Sequence, residues 1–249
     1  LRLKEGKFGA NGKGNPSLPP VSAEDLGNTE LRICRLECPR LRAQLDALDP
    51  AAWESSSELA KTNAFPPPRL AANVERTKPG VRTIFLIFGD HPAVGAWHFP
   101  WLGEWLPALR AEVFDPLGIS LDTIRRMSFG LMRPGGEINP HKDTGEWVQS
   151  THRVHVVLTS NSNVSFWFIA RRDRAPVKVQ AKEGDVFEVN NAMKHWVTNA
   201  GESSRVHLVI DYAEAPNLFT ERMRPGEKME SKSVFSVTER ALKSFGSAS

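Results

Sequence analysis

Residues 204–212, with the sequence SRVHLVIDY, predict a β-strand of the kind that decides the fold class. An apolar, β-rich run from Val206 to Ile210 follows directly on a charged residue, Arg205. From Ile124 onward the hydrophobic pattern has a period of two, in short runs separated by glycine, asparagine, proline and charged turns. The predicted strands lie near residues 81–88, 124–132, 152–159, 164–170, 177–180, 185–189, 195–198 and 204–212. Roughly eight strands of this kind predict a mainly β protein, a double-sheet jelly roll (double-stranded β-helix) of the cupin type.

The rest of the chain divides around this core. Residues 1–21 are rich in Lys, Gly, Asn and Pro and are expected to be disordered. A helical and mixed supporting region is expected at 22–120, with helices over 22–48 and 101–114 that pack outside the jelly roll. The catalytic core is placed at 121–215. A tail at 216–249 is expected to hold one short amphipathic helix near 235–244.

Composition sets broad limits on function. The net charge of +3 is too small to favour nucleic-acid binding, and no apolar run approaches the roughly 18 residues that span a bilayer. The sequence therefore predicts neither a nucleic-acid nor a membrane partner. Because the chain begins at Leu1, a removed leader is conceivable and the compartment stays open, with a soluble cytoplasmic location favoured. The oligomeric state is undetermined.

The two cysteines lie four residues apart, at Cys34 and Cys38. This spacing is neither a redox CxxC motif nor a disulfide framework. Within the predicted helix they would face the same side, and we expect two buried or half-buried thiols.

The chemistry-bearing residues fall within the β-rich half. His141 and Asp143 flank one residue and point the same way if the segment is extended, and His195 follows far downstream. Two histidines and one carboxylate form the facial triad of non-haem Fe(II) oxygenases, which leaves open positions on the metal. A His-x-Asp pair alone arises often by chance, so the distant His195 and the arginine after it carry the prediction.

Arg205 lies ten residues after His195, at the head of an apolar strand. A guanidinium in that position is expected to be partly buried, and such a group requires an anion. It suits the distal carboxylate of 2-oxoglutarate, which a planar fork can hold through two hydrogen bonds. A surface ion pair is the alternative role for this arginine.

Four spaced segments resemble the aspartyl/asparaginyl β-hydroxylase family of Fe(II)/2-oxoglutarate-dependent dioxygenases. They are RPGGEINPH at 133–141, HRVHV at 152–156, MKHWVTN at 193–199 and RVHLVID at 205–211. The resemblance covers roughly residues 124–212 in the same order; upstream of about residue 80 no match is evident.

The resemblance implies that His141 and His195 bind Fe(II) and that Arg205 pairs with the 2-oxoglutarate C5 carboxylate. It places Arg153 and His155 beside the cosubstrate, although His155 could instead be a core histidine. The chain keeps a carboxylate, Asp143, where the animal protein-hydroxylating members have glycine.

A second difference concerns a serine that contacts the cosubstrate in those animal members. By equal-length alignment this chain has Gly130 there, and Ser128, on the same strand face, is the candidate substitute.

The implied activity is hydroxylation of a C–H bond in an amino acid or an amino-acid residue of a peptide, with consumption of 2-oxoglutarate and O2 and release of succinate and CO2. The presence of Asp143 favours a small molecule or short peptide over a protein partner. Position alone makes Arg133, Lys142 and Trp147 candidate substrate-binding residues.

Three other functions stay open. They are hydroxylation of aspartyl or asparaginyl residues in a protein partner, non-catalytic metal binding by a cupin-like protein, and a metal-dependent cupin enzyme that uses no 2-oxoglutarate.

Overall fold

The computed structural model describes residues 30–54, 80–89, 95–143, 151–169 and 176–224. In these segments twelve strands form two sheets. The strands are β1 (Glu30–Arg35), β2 (Val81–Phe88), β3 (Gly95–His98), β4 (Ile124–Met132), β5 (Glu137–His141), β6 (His152–Thr159), β7 (Val164–Ile169), β8 (Pro176–Val179), β9 (Asp185–Val189), β10 (His195–Asn199), β11 (Arg205–Tyr212) and β12 (Phe219–Arg222).

The two sheets face each other, as expected for a jelly roll. The larger sheet has the order β1-β9-β6-β11-β4-β2-β3-β12, and the smaller has the order β5-β10-β7-β8. Apolar side chains from both sheets meet in one cluster, among them Val157 and Phe187 from the larger sheet and Phe166 and Phe168 from the smaller. Burial of these side chains holds the two layers together. The predicted fold class is confirmed.

The opposite face of the larger sheet packs against helices. The helical segments are α1 (Pro39–Asp46), the α-helical residues 50–54, α2 (Leu102–Leu109), a π-helical segment (Arg110–Phe114), α3 (Asp115–Leu117) and a 3-10 turn (Leu121–Thr123). Trp105 of α2 lies against Phe129 of β4, with ring centroids 4.6 Å apart. Leu109 is also fully buried there, so the helix predicted over 101–114, which buries these two residues, lies outside the jelly roll as expected.

The helix predicted over 22–48 is wrong at residues 30–35 and confirmed at Pro39–Asp46. Residues 30–35 form strand β1, which pairs antiparallel with β9 at the edge of the larger sheet. The helix begins only at Pro39, whose fixed φ suits a first helical position. Pairing with a distant strand therefore decides the conformation of this segment, and local helical spacing does not.

The cysteines accordingly do not share a helix. Cys34 lies in β1 and is half-buried, whereas Cys38 precedes α1 and is buried. Both are free thiols. Burial raises the pKa of Cys34 to about 11 and that of Cys38 to about 12, so both stay protonated at neutral pH, in agreement with the predicted burial.

A buried carboxylate fixes the start of α1. Glu112, in the π-helical segment, accepts hydrogen bonds from the backbone N–H groups of Arg40 at 2.9 Å and Leu41 at 3.0 Å. These N–H groups have no partner within the helix, so the carboxylate satisfies them and also complements the helix dipole.

Four strands were not expected from the sequence: β1, β3, β5 and β12. Among these strands β5 matters most, because it ends at His141. It was not predicted because it contains Pro140 and has no alternating hydrophobic pattern. It lies at the edge of the smaller sheet, where a proline is tolerated.

Several expectations fall outside the described residues: the disordered segment 1–21, the tail helix near 235–244, and Trp147. The division into regions at 22–120, 121–215 and 216–249 stays a prediction. No helix among the described residues is long and apolar enough to cross a membrane.

Candidate active site

Strands β5 and β10 bring the two histidines together. His141 ends β5, His195 begins β10, and the two residues are paired in the antiparallel register. Their ring centroids are 4.3 Å apart. Asp143 follows β5 by two residues, and one ligand atom from each of these three residues lies within 4.8 Å of the others. The predicted His–Asp–His set is therefore assembled at one end of the jelly roll.

Backbone carbonyls orient both imidazoles. Nδ1 of His141 lies 2.8 Å from the carbonyl oxygen of Asn139, and Nδ1 of His195 lies 2.8 Å from that of Met193. A carbonyl can only accept, so each Nδ1 carries a hydrogen, and in the neutral imidazole each Nε2 keeps its lone pair. This is the tautomer that a metal ligand needs.

The two oxygens of Asp143 have different surroundings. Oδ2 accepts hydrogen bonds from Nη1 of Arg153 and, at 3.0 Å, from the side-chain amide of Asn191. Oδ1 lies 3.5 Å from Nε2 of His141. One oxygen is thus fixed by protein donors, while the other lies toward Nε2 of His141.

The electrostatics favour the metal-binding form of two of the three ligand candidates, His195 and Asp143. Burial lowers the pKa of His195 to about 4, so its imidazole is neutral at neutral pH. Burial opposes ionisation of Asp143, but the Arg153 charge and the hydrogen bond with His141 hold the pKa of this carboxyl well below its usual range. The hydrogen bond with Asp143 raises the pKa of His141. A bound cation would favour the neutral form of that imidazole.

Arg153 lies between two carboxylates. Its Nε donates to Oδ1 of Asp211 at 2.7 Å and its Nη2 donates to Oδ2 at 2.8 Å, while Nη1 reaches Asp143. The resemblance implied a cosubstrate contact for this residue. In the structure its N–H groups donate to Asp143, a metal-ligand candidate, and to Asp211 on the neighbouring strand β11.

A second polar group lies deeper between the sheets. Arg205 is 5% exposed, and its Nη2 lies 2.7 Å from Nδ1 of His207. Nδ1 of His155 lies 3.3 Å from the same nitrogen. Burial lowers the pKa of Arg205 to about 9, and within the described part of the chain no carboxylate pairs with it and its Nε has no partner. A buried guanidinium in these surroundings is suited to receive an anion.

The two histidines beside Arg205 are held neutral. Burial and the Arg205 charge keep the pKa of both His155 and His207 well below the usual value. Nδ1 of His207 accepts from Arg205, so its hydrogen lies on Nε2, a buried donor without a partner among the described residues. His155 also stacks on Phe187, with ring centroids 5.3 Å apart.

The remaining candidates lie in different places. Ser128 is half-buried on β4, opposite Val209 of β11 and two residues from Gly130, the register partner of His207. Lys142 is exposed between the two ligand candidates of its segment.

Arg133 lies at the opposite end of β5 from His141, where its Nη2 forms a 2.7 Å ion pair with Glu54. We therefore leave Arg133 out of the substrate-binding set that we propose.

Three residues of the site were not predicted from the sequence: Asn191, Asp211 and His207. His207 was not among the candidate site residues, but it is 2% exposed beside Arg205. The sequence did contain a pattern that indicates two of them. Alternation along β11 puts His207 and Asp211 on the same face as Arg205. Nothing in the local sequence of Asn191 marks its contact with Asp143.

Comparison with known proteins adds a family match. Residues 107–215 match the family model of aspartyl/asparaginyl beta-hydroxylase. No curated protein sequence matches the chain.

Among solved structures, similar chains include an oxidoreductase of the 2OG-Fe(II) oxygenase family from Burkholderia pseudomallei, with 17% identity over 60% of this chain and 79% of that one and a TM-score of 0.44. The nickel complex of the non-heme monooxygenase ThoJ has 18% identity over 91% and 94% of the two chains, with a TM-score of 0.44. A prolyl-4-hydroxylase from Pseudomonas putida has 14% identity over 77% and 96%, with a TM-score of 0.41.

These structural likenesses are too distant to carry an argument, so the assignment rests on the family match together with the site. The matched segment contains β4 to β11, with all three metal-ligand candidates and Arg205. Over residues 107–215, less than half of its length, this chain is similar to the aspartyl/asparaginyl β-hydroxylase family.

Proposed function

We propose that the protein is an Fe(II)- and 2-oxoglutarate-dependent dioxygenase that hydroxylates a C–H bond of an amino acid or of an amino-acid residue in a peptide. The observation that carries the proposal is the pairing of two sites between the sheets. One is a His–Asp–His cluster with preset donor atoms, and the other is a buried arginine, Arg205, without a counter-anion among the described residues.

The donor set fits the metal. Nε2 of His141, Nε2 of His195 and Oδ1 of Asp143 would hold Fe(II), and two imidazoles with one carboxylate are the ligands that leave positions open on this ion. Iron, 2-oxoglutarate and O2 together supply the oxidising power that inserts one oxygen atom into a C–H bond, with succinate and CO2 as the other products.

The protein's own residues bind and orient. Arg205 would pair with the distal carboxylate of 2-oxoglutarate, and Nε2–H of His207 is available as a further donor to it. His155 and Ser128 line the same inner faces of β6 and β4 and are kept as cosubstrate contacts. The neighbouring phenyl rings exclude water and so strengthen these polar contacts.

The substrate would enter at the end where His141 and Asp143 meet solvent. Lys142 is exposed there and stays a candidate for a carboxylate-bearing substrate, as does Trp147. If the Lys142→Ala variant keeps the wild-type KM, Lys142 has no part in substrate binding.

The direct test is an anaerobic titration of the Fe(II)-loaded protein with 2-oxoglutarate, followed by visible absorption. The expected result is a weak metal-to-ligand charge-transfer band that is absent in the His195→Ala variant. Amino acids and peptides can then be screened by succinate release.

Two other outcomes are informative. Bound iron without the band would favour a non-catalytic metal-binding protein or a cupin enzyme that uses no 2-oxoglutarate. A band together with succinate release only in the presence of a protein carrying aspartyl or asparaginyl targets would favour the protein-hydroxylating alternative.

A further inference from the structure

An ion pair between Asp211 and Arg153 lies directly behind the His–Asp–His cluster. Asp211 is near the end of β11, Arg153 is near the start of β6, and the two are register partners in the larger sheet. Both oxygens of Asp211 are used, since Oδ1 accepts from Nε of Arg153 and Oδ2 accepts from Nη2. Asp211 is 2% exposed and the Arg153 side chain is 18% exposed, so the carboxylate of the pair is shielded from solvent.

This pairing determines how Arg153 meets Asp143. A guanidinium is a rigid planar fork, and Asp211 occupies the edge formed by Nε and Nη2. Nη1 is the atom that reaches Asp143, at its Oδ2. Asn191 donates to the same oxygen at 3.0 Å. The Arg153 guanidinium and the Asn191 amide therefore donate to the same oxygen of Asp143.

We propose that Asp211 is a positioning residue: by holding one edge of Arg153, it restricts this arginine to Oδ2 of Asp143 and keeps Oδ1 available to a metal ion. The inference rests on the proposed function, in which Asp143 is a metal ligand. Arginine and carboxylate readily form bidentate pairs. Released from Asp211, Arg153 would turn its fork to both oxygens of Asp143 and compete with the metal.

Charge supports the same role. Two carboxylates, Asp211 and Asp143, share one guanidinium, so the group keeps a net negative charge beside the two neutral imidazole nitrogens. Without Asp211 that charge would fall to zero, and the attraction for a cation would weaken. The role assigned to Arg153 is thus to orient Asp143, a metal-ligand candidate. This differs from the cosubstrate contact that the sequence resemblance implied.

The test is Co(II) titration of the metal-free protein, monitored by the visible d–d absorption that reports both affinity and coordination geometry. The Asp211→Asn variant is expected to raise the Kd for Co(II) about 10-fold or more, a typical size for the loss of a group that supports a metal ligand, and to change the band shape. A Kd and spectrum equal to wild type in a folded Asp211→Asn protein would overturn the proposal.

A double-variant cycle shows whether Asp211 acts through Arg153. In an Arg153→Met background, adding Asp211→Asn is expected to change the Co(II) Kd less than it does in the wild type, because only the charge of Asp211 then remains to be lost. An undiminished effect there would also overturn the proposal. Should Asp211→Asn not fold, the Arg153→Lys variant tests the same contact, and its Kd for Co(II) is expected to rise. A single ammonium group cannot hold both carboxylates in a fixed geometry.

A matched control separates positioning from general stability. Glu188→Gln removes another buried carboxylate of the larger sheet, which pairs with His152 at 2.6 Å on the opposite face of the sheet. It is expected to lower the melting temperature without changing the Co(II) Kd. Failure of the proposed function looks different: the wild type would then bind Co(II) no more tightly than the His141→Ala variant.

Discussion

Asn191 contacts Asp143 at two points. Its carbonyl oxygen accepts a hydrogen bond from the backbone N–H of Asp143 at 3.0 Å, and its side-chain amide donates to Oδ2 of the same residue at 3.0 Å. Asn191 lies in the turn between β9 and β10, four residues before His195. One residue thus ties the carboxylate ligand candidate to the strand that supplies the second histidine.

Replacement of Asn191 by alanine is therefore expected to weaken metal binding about 10-fold, because one of the donors that fix Oδ2 of Asp143 is lost. The measurement is the Kd for Co(II) by visible absorption. Asn199→Ala is the control: this buried amide donates to the carbonyls of Met132 and Ser203 at the far end of β10. If Asn199→Ala lowers Co(II) affinity as much as Asn191→Ala does, the contact with Asp143 is not the cause.

Replacement of Arg205 by methionine should separate cosubstrate binding from metal binding. The variant removes a buried charge that has no counter-ion among the described residues, so the unliganded protein is expected to become more stable, not less. Affinity for 2-oxoglutarate should fall by about 100-fold, while the Co(II) Kd stays unchanged.

Thermal melting with and without 2-oxoglutarate measures both effects. A wild-type melting temperature that rises with 2-oxoglutarate, and a variant that shows no rise, is the expected pattern. A lower melting temperature for unliganded Arg205→Met would show that the guanidinium has a counter-charge in the free protein.

His207→Leu is expected to weaken 2-oxoglutarate binding about 10-fold, through loss of the Nε2–H donor and of the acceptor that orients Nη2 of Arg205. Isothermal titration with the metal-loaded protein measures this change. His207→Gln keeps a donor and an acceptor and should recover part of the affinity. Equal affinity in the leucine variant and the wild type would exclude His207 from the anion site.

Acid should destabilise the protein partly through His98. Burial, followed by the charge of Arg222, lowers the pKa of His98 to about 4, and its Nε2 has no partner among the described residues. Between pH 6.5 and 4 the unfolded chain binds a proton at this residue and the folded chain does not, so stability falls as pH falls through this window. The loss between pH 7.5 and pH 5 is on the order of 2 kcal/mol.

The free energy of unfolding in urea, measured at pH 7.5 and pH 5 for wild type and His98→Leu, tests this sign. The variant should lose about 2 kcal/mol less than the wild type over that interval. Some acid sensitivity should remain, because His155 and His207 also have lowered pKa values. Identical pH dependence in the two proteins would contradict the prediction.

Glu112→Ala is expected to cost about 1–3 kcal/mol of unfolding free energy, because two N–H groups at the start of α1 lose their acceptor. Glu112→Gln keeps one acceptor oxygen and should cost less. Urea unfolding at neutral pH measures the difference. Metal affinity should be unaffected, since α1 packs on the face of the larger sheet away from the ligand cluster.

The sequence predicted the jelly roll and the strands that carry most of the site. β4, β6 and β9 have the expected bounds, and β11 begins one residue later than expected. Alternation of apolar residues is a local signal, and a sheet with one face buried fixes it strongly. Local spacing misled at residues 30–35, where a helical pattern was assigned to a strand that pairs with β9.

By itself, then, the sequence determined the fold class, the resemblance, and the identity of His141, Asp143, His195 and Arg205 as one candidate set, because strand periodicity and motif spacing are local properties. Only the tertiary structure decided which donors hold which acceptors. Arg153 meets Asp211 58 residues away, and Asn191 meets Asp143 48 residues away. Such contacts depend on the register of the strands and on the turns between them. A local pattern of residues does not encode which side chains come within hydrogen-bonding distance of each other.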